Sequence, residues 1–175
     1  GDKIHNIRNI CKVVSIKNNK KIIKSVKKIY ECVSKKVVFT EKIKETELSK
    51  LIENTQRDLN IALMNEIMIL CNKTNLDFYE VIRLAKTKWN FLNFNPGLVG
   101  GHCLPVDPYY LSYFASKFNF KTKVTLAGRD INNFMEKFIL NKIFSKINRL
   151  NNLRKKRIVV IGLTYKPNVA DLRNS

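Results

Sequence analysis

Apolar residues recur at steps of three and four through several stretches of the chain, and that period predicts helices. Between residues 18 and 33 the apolar positions are Ile22, Ile23, Val26, Ile29, Tyr30 and Val33, with lysines between them. The pattern is an amphipathic helix with a basic wet face. Residues 42 to 72 contain neither Pro nor Gly, and one long helix is expected there. Its second half, residues 59–71, is apolar nearly all round, which implies burial on several sides. A further helix is predicted from Asp77 to about Lys86, with Asn75 or Asp77 as its cap. Pro108 suits a first helical turn and a helix reaching about Lys117. Ile131, Phe134, Met135, Phe138, Ile139, Ile143 and Ile147 form a continuous stripe, predicting a helix from about Ala127 to Asn148.

Shorter runs carry strand character. Residues 36–40 read as a strand following the first helix, as at the end of an α/β unit. Residues 12–16 are too short to settle between strand end and loop. After a polar, basic linker over 151–156, residues 157–163 read as a buried strand of the parallel type. A lone α/β unit lacks the neighbours a sheet needs, so these runs are expected to be pieces of larger sheets.

One stretch has no period. Gly97, Gly100 and Gly101 permit close backbone approach, Pro96, Pro105 and Pro108 stiffen the path, and Cys103 lies at the centre. Leu98, Val99, Leu104, Val106, Tyr109 and Tyr110 make it a packed, shaped loop, unlike a Gly/Ser linker. A lone cysteine is more often a small residue in a tight turn, but a thiol among unobstructed backbone amides suggests a nucleophile. Cys32 and Cys71 fall in apolar helical patterns and read as core residues. His102 adjoins Cys103, yet adjacent side chains seldom converge and the other histidine is His5, so neither a Cys/His dyad nor a metal site is read. Asp107 has two compatible uses, capping the helix that starts at Pro108 and serving the chemistry. Lys50, Asn54 and Arg57 share one face of the long helix. Such a row is usually a solvated stripe, but Asn is a poor mid-helix choice without a partner, and the row facing a carbonyl would stabilise an oxyanion. Lys166 and Arg173 follow the last strand, where α/β folds bind ligands.

Charge and composition narrow the classes. The formal charge of +19 raises nucleic acid as a partner. It comes mostly from Lys spread along the chain, alongside many Asn, Ile and Phe, and no base-reading motif accompanies it; no nucleic-acid role is read. No apolar run reaches eighteen residues and no secretory signal opens the chain, so the reading is soluble and cytoplasmic with reduced cysteines and no membrane partner. The glycines, at 1, 97, 100, 101, 128 and 162, contain no GxGxxG fingerprint, so the main binding domain of any dinucleotide would lie outside these residues.

The runs IENTQRDLNIA at 52–62, TKWNF at 87–91, PGLVGGHC at 96–103, VDPYYL at 106–111 and GLTYK at 162–166 resemble the UDP-glucose/GDP-mannose dehydrogenase family, and most of all its UDP-N-acetylhexosamine dehydrogenases. The resemblance implies a mainly α central dimerisation domain flanked by partial α/β (Rossmann-like) pieces. Residues 1–40 would be the tail of an NAD-binding Rossmann domain, 41–150 the central helical dimerisation and catalytic domain, and 151–175 the first strand and loop of a UDP-sugar-binding domain. It further implies NAD-dependent four-electron oxidation of the C6 alcohol of a UDP-N-acetylhexosamine to the uronate, in polysaccharide precursor synthesis. UDP-glucose 6-dehydrogenase, or an inactive fragment serving as a dimerisation module, are the alternatives.

By the same resemblance, Cys103 would be the nucleophile that forms a thiohemiacetal and then a thioester, Lys50 and Asn54 would stabilise the oxyanion, and Asp107 would activate the thiol or the hydrolytic water. Arg57, Phe91, Leu92, Gly100, Gly101 and Lys166 would meet the UDP-sugar, and Arg173 the NAD pyrophosphate. A homodimer through the long helix, and no metal, complete the expectation. The family's glutamate acid/base lies in the part not present here, so these 175 residues alone are not expected to turn over. Leu104 and Pro105 follow the cysteine where this branch often has Ile-Gly, which leaves the hexosamine open.

Overall fold

The computed structural model describes residues 6–17, 19–148, 157–165 and 167–174. It contains two compact units, residues 1–52 with 166–169, and residues 53–165 with 170–175.

In the first unit, β1 (Lys12–Ser15), α1 (Lys20–Val33) and β2 (Val37–Thr40) form one βαβ element. The strands pair in parallel with Lys12 opposite Val37 and Ser15 opposite Thr40, so residues 12–15 are a strand and not a loop. Asn19 starts α1, its Oδ1 accepting from the amides of Lys21 and Ile22 at 3.2 Å. Buried Ser34 ties the far end down, its hydroxyl donating to the carbonyls of Ile10 and Lys36. Cys32 was expected in a core and is exposed, because nothing among the described residues covers its side of α1.

Helix α2 (Ile43–Thr74) runs from the first unit into the second, where α3 (Phe78–Ala85), α4 (Asp107–Ser116) and α5 (Lys123–Asn148) follow. An asparagine in the left-handed conformation follows both α2 and α4, Asn75 directly and Asn119 after one further turn. In each the next amide closes a six-to-one bond, Leu76 to Cys71 and Phe120 to Ala115. Asp77 then caps α3, its Oδ1 accepting from the Tyr79 amide at 2.9 Å. The apolar core lies between α2 and α3, where Met64, Cys71, Phe78 and Ile82 pack with half-buried Ile67, Met68, Val81, Phe91 and Phe94.

Helix α5 begins four residues before the expected Ala127, so Gly128 lies within it rather than at its start. That glycine is a packing device: a Cβ there would fall on Leu59 Cδ2 of α2, so its absence lets the two helices approach. Met135 is the one buried member of the α5 stripe; Phe134 and Ile143 are exposed. Leu63 and Leu70 of α2 are likewise about half exposed, so the all-round burial expected for residues 59–71 is only partly met within the described residues.

The strand expected over 157–163 is absent, and its apolar residues are open to solvent, Ile161 at 93%. A strand is held by a ladder to a neighbour, and no described strand lies alongside this one. The linker expected over 151–156 falls outside the described residues. No described helix is long and apolar enough to cross a membrane.

Candidate active site

Helix α2 grips the cysteine loop at both ends, through two asparagines eleven residues apart. Asn65, fully buried, holds the start: its Nδ2 donates to the Gly97 carbonyl at 3.0 Å, and its Oδ1 accepts from the Gly97 amide at 2.8 Å. The side-chain amide thus pairs with backbone in both directions, as a neighbouring strand would.

Behind Asn65 stands a polar network in the helix interface. Its Nδ2 also donates to Asn132 Oδ1 at 2.8 Å, and Asn132 Nδ2 donates to the carbonyl oxygen of Asp58 at 3.0 Å and to its Oδ1 at 2.8 Å. Arg129, 3% exposed, donates Nη1 to the same Asp58 Oδ1 at 2.6 Å and Nη2 to Asn133 Oδ1 at 2.6 Å. Asn133 reaches the Tyr109 hydroxyl of α4, and the Arg129 guanidinium lies 5.8 Å from that ring's centre. Burial pushes the Asp58 carboxyl above its ordinary value, opposed by the charge and hydrogen bond of Arg129 and by Asn132. Thr55 Oγ1, Asp58 Oδ2 and Arg129 Nε are buried without a protein partner among the described residues.

At the loop's other end, Asn54 donates Nδ2 to Asp107 Oδ2 at 2.6 Å and accepts on Oδ1 from Arg57 Nη1 at 3.2 Å. Arg57 also pairs with Glu53. The sequence offers Asp107 as the cap of α4. The structure makes Val106 the cap residue, without a side-chain cap bond, and Asp107 the first residue of the helix. One position further in, the carboxylate is drawn across to Asn54 and remains beside the positive end of the helix. The amides of Val106 and Asp107 both donate to the Cys103 carbonyl, at 3.1 and 2.8 Å, so Cys103 precedes Asp107 by one tight turn. Its thiol is exposed.

Between the two grips, residues 165 and 171–174 lie on the loop. A Cβ on Gly100 would stand 2.7 Å from the Asn174 carbonyl oxygen, and one on Gly101, whose φ is +92°, 2.9 Å from the Tyr165 ring. Both positions therefore need glycine for this approach. The Gly101 amide donates to Asn174 O at 2.9 Å. His102, set aside as a dyad or metal residue, bonds Asp171 Oδ2 through Nε2 at 2.8 Å. Asp171 also accepts from Arg173, and these bonds, Arg173's first and His102's next, hold its carboxyl well below the usual range.

The structure brings Asn54, Arg57, Asp107, Gly100, Gly101 and Arg173 to the loop or its partners. Phe91 is half buried against the α2–α3 core and Leu92 is exposed. Lys50 is exposed on α2 and falls in the first unit. Lys166 lies outside the described residues. Asp58, Asn65, Arg129 and Asn132 went unread in the sequence; the signal was there in Asn65, a mid-helix asparagine in an apolar run, by the reasoning already applied to Asn54.

The profile of the UDP-glucose/GDP-mannose dehydrogenase family, central domain, matches residues 44–134, just over half of the chain. The chain belongs to the UDP-glucose/GDP-mannose dehydrogenase family. Protein CapL of Staphylococcus aureus is 45% identical over 177 residues, a match to 100% of this chain and 42% of that protein. UDP-N-acetyl-D-glucosamine 6-dehydrogenase of Salmonella typhi is 41% identical over 177 residues, covering 100% of this chain and 41% of its own length. The structure of the UDP-N-acetyl-mannosamine dehydrogenase Cap5O from S. aureus matches with a TM-score of 0.78 at 33% identity, over 98% of this chain and 40% of that one. The chain thus spans about two-fifths of the length of the relatives it matches. Its mainly helical architecture is that of the family's central domain.

A dinucleotide would find only part of its site in this family member. The α1 terminus does not fit a pyrophosphate: no glycine lies between β1 and α1, and Asn19 already satisfies two of the first amides. Arg173 does fit as a counter-charge, since its pair with Asp171 engages Nε and Nη2 and its side chain is 78% exposed.

Proposed function

We propose that the chain is the catalytic core of a cytoplasmic, NAD-dependent UDP-N-acetylhexosamine 6-dehydrogenase, oxidising the C6 alcohol to the uronate. The observation that carries this reading is the Asn54–Asp107 bond, made to a carboxylate whose residue follows the exposed Cys103 by one tight backbone turn.

NAD, when bound, supplies the hydride acceptor; the residues here act on the sugar. A first loss of hydride from C6 and of the proton from its hydroxyl gives the aldehyde; Cys103 sulfur then adds to it and the carbonyl oxygen takes the proton, giving a thiohemiacetal. Loss of hydride from that carbon and of the proton from its hydroxyl leaves a thioester, which water cleaves to the uronate and the free thiol. Asn54 Nδ2 carries two protons, and with one given to Asp107 the other serves the oxyanion, a role assigned to Lys50 as well. Asp107 accepts the proton of the thiol or the attacking water. Gly100 and Gly101 admit the sugar close to backbone, and Arg57, Phe91, Leu92 and Lys166 are assigned to binding of the UDP-sugar. The domain division at residues 40 and 150 belongs to the same proposal.

The experiment is an assay of the protein expressed from its complete reading frame, with UDP-N-acetylglucosamine, UDP-N-acetylmannosamine and UDP-glucose. The expected result is two NADH per uronate with an N-acetylhexosamine substrate preferred. Turnover of UDP-glucose alone would shift the assignment, and no turnover with any would refute it. The half-exposed Leu63 and Leu70 of α2, with the exposed Phe134 and Ile143 of α5, support a homodimer through the long helix. Sedimentation of the same protein is expected to give twice the monomer mass, and Leu63→Asp with Leu70→Asp the monomer.

A further inference from the structure

Asp171 is the node that joins residues 170–174 to the cysteine loop. Its Oδ1 accepts from the Arg173 amide at 3.1 Å and from Arg173 Nε at 2.9 Å; its Oδ2 accepts from Arg173 Nη2 at 3.0 Å and from His102 Nε2 at 2.8 Å. An ionised carboxylate only accepts, so the proton of the His102 bond sits on Nε2. His102 stands between Gly101, whose amide and carbonyl both bond Asn174, and Cys103. One carboxylate therefore receives the guanidinium fork on one side and the loop's imidazole on the other. A guanidinium locked along one edge presents the remaining edge to an anion at fixed position.

We propose that His102 is a positioning residue, which through Asp171 holds Arg173 where its guanidinium meets the pyrophosphate of a nucleoside diphosphate ligand. The ligand part rests on the dehydrogenase reading above; the anchoring part does not. Two ligands share the pyrophosphate chemistry, the UDP-sugar and the dinucleotide, and the test separates them.

Hydrogen exchange at the Gly101 amide reports the anchoring directly, because that amide donates to Asn174. In the chain itself, His102→Ala is expected to speed this exchange about two- to fivefold, the range a partly exposed pair supports. Asp171→Asn, which weakens both contacts, has the larger effect, and His102→Gln, which keeps a donor, stays near the parent. In the protein from the complete reading frame, the dissociation constants of UDP and of NAD are measured by titration calorimetry for the same variants. His102→Ala is expected to weaken one of the two by about five- to tenfold, the scale of a charge-assisted hydrogen bond partly lost, and to leave the other unchanged; His102→Gln restores it. Weakened UDP assigns the sugar nucleotide, weakened NAD the dinucleotide. Unchanged Gly101 exchange in both His102→Ala and Asp171→Asn would overturn the anchoring. Dissociation constants that stay the same, or both rise equally, would overturn the positioning role. Neither readout needs turnover, so a failed dehydrogenase assay leaves the two results distinct.

Discussion

Cys103→Ser, made in the protein from the complete reading frame, is expected to lower uronate formation by at least about 10³-fold, the scale on which removal of a covalent nucleophile acts. The thiol is exposed and contributes nothing to the apolar core, so folding should not account for the loss. UDP-sugar affinity should stay within about twofold, because the lost interaction is a bond made during reaction and not in binding. Serine keeps the shape but is a far weaker nucleophile and forms an ester in place of the thioester. Uronate release and UDP-sugar titration check the two halves of the expectation. A variant that keeps more than a tenth of the parent rate would remove Cys103 from the mechanism.

The second large effect is on stability. Asp58 is fully buried and Arg129 nearly so, and their 2.6 Å contact spans α2 and α5. Arg129→Met leaves a buried carboxyl and Asp58→Ala a buried guanidinium, and each is expected to cost about 3–5 kcal/mol. The raised pKa of Asp58 makes the two losses unequal. A carboxyl whose folded pKa lies above its unfolded one favours the folded state at low pH and loses that contribution as pH rises through the folded value. Arg129→Met should thus be least costly in acid, where Asp58 takes up a proton. Asp58→Ala should not recover there, since a guanidinium stays charged. The double replacement is expected to cost less than the sum of the singles, because neither charge is left alone. Urea unfolding of the chain at two pH values measures all three; strict additivity would mean that the pair does not act as a unit.

The parts of the fold that could be read from sequence are those set by local period. α2 and α3 appear within about two residues of expectation, and the first helix and second strand hold because capping and alternation act over a few positions. The expected strand at 157–163 fails for a non-local reason. Its residues have the composition of a buried strand, but a ladder needs a partner that the described residues do not supply.

The site divides along the same line. Asn54 could be singled out because asparagine disfavours a helix interior, and its partner Asp107 was a candidate on other grounds. Asn65 obeys the same rule, but its partners Gly97 and Asn132 lie 32 and 67 residues away, and the apolar run around it masked the signal. Adjacency to Cys103 gives His102 no partner in the sequence; its partner in the structure is 69 residues further along. Gly100 and Gly101 are expected from sequence to let backbone approach the sugar; what approaches them in the structure is Asn174 and Tyr165.

The central claim is that Cys103 carries the oxidised sugar carbon covalently. Its most direct test is mass spectrometry of the Cys103 peptide after acid quenching of the complete protein during turnover with UDP-N-acetylglucosamine and NAD. The account predicts a fraction of that peptide bearing the sugar nucleotide through a thioester on the Cys103 sulfur, released by hydroxylamine. Uronate production with the Cys103 peptide unmodified at every quench time, and with Cys103→Ser as active as the parent, would contradict it.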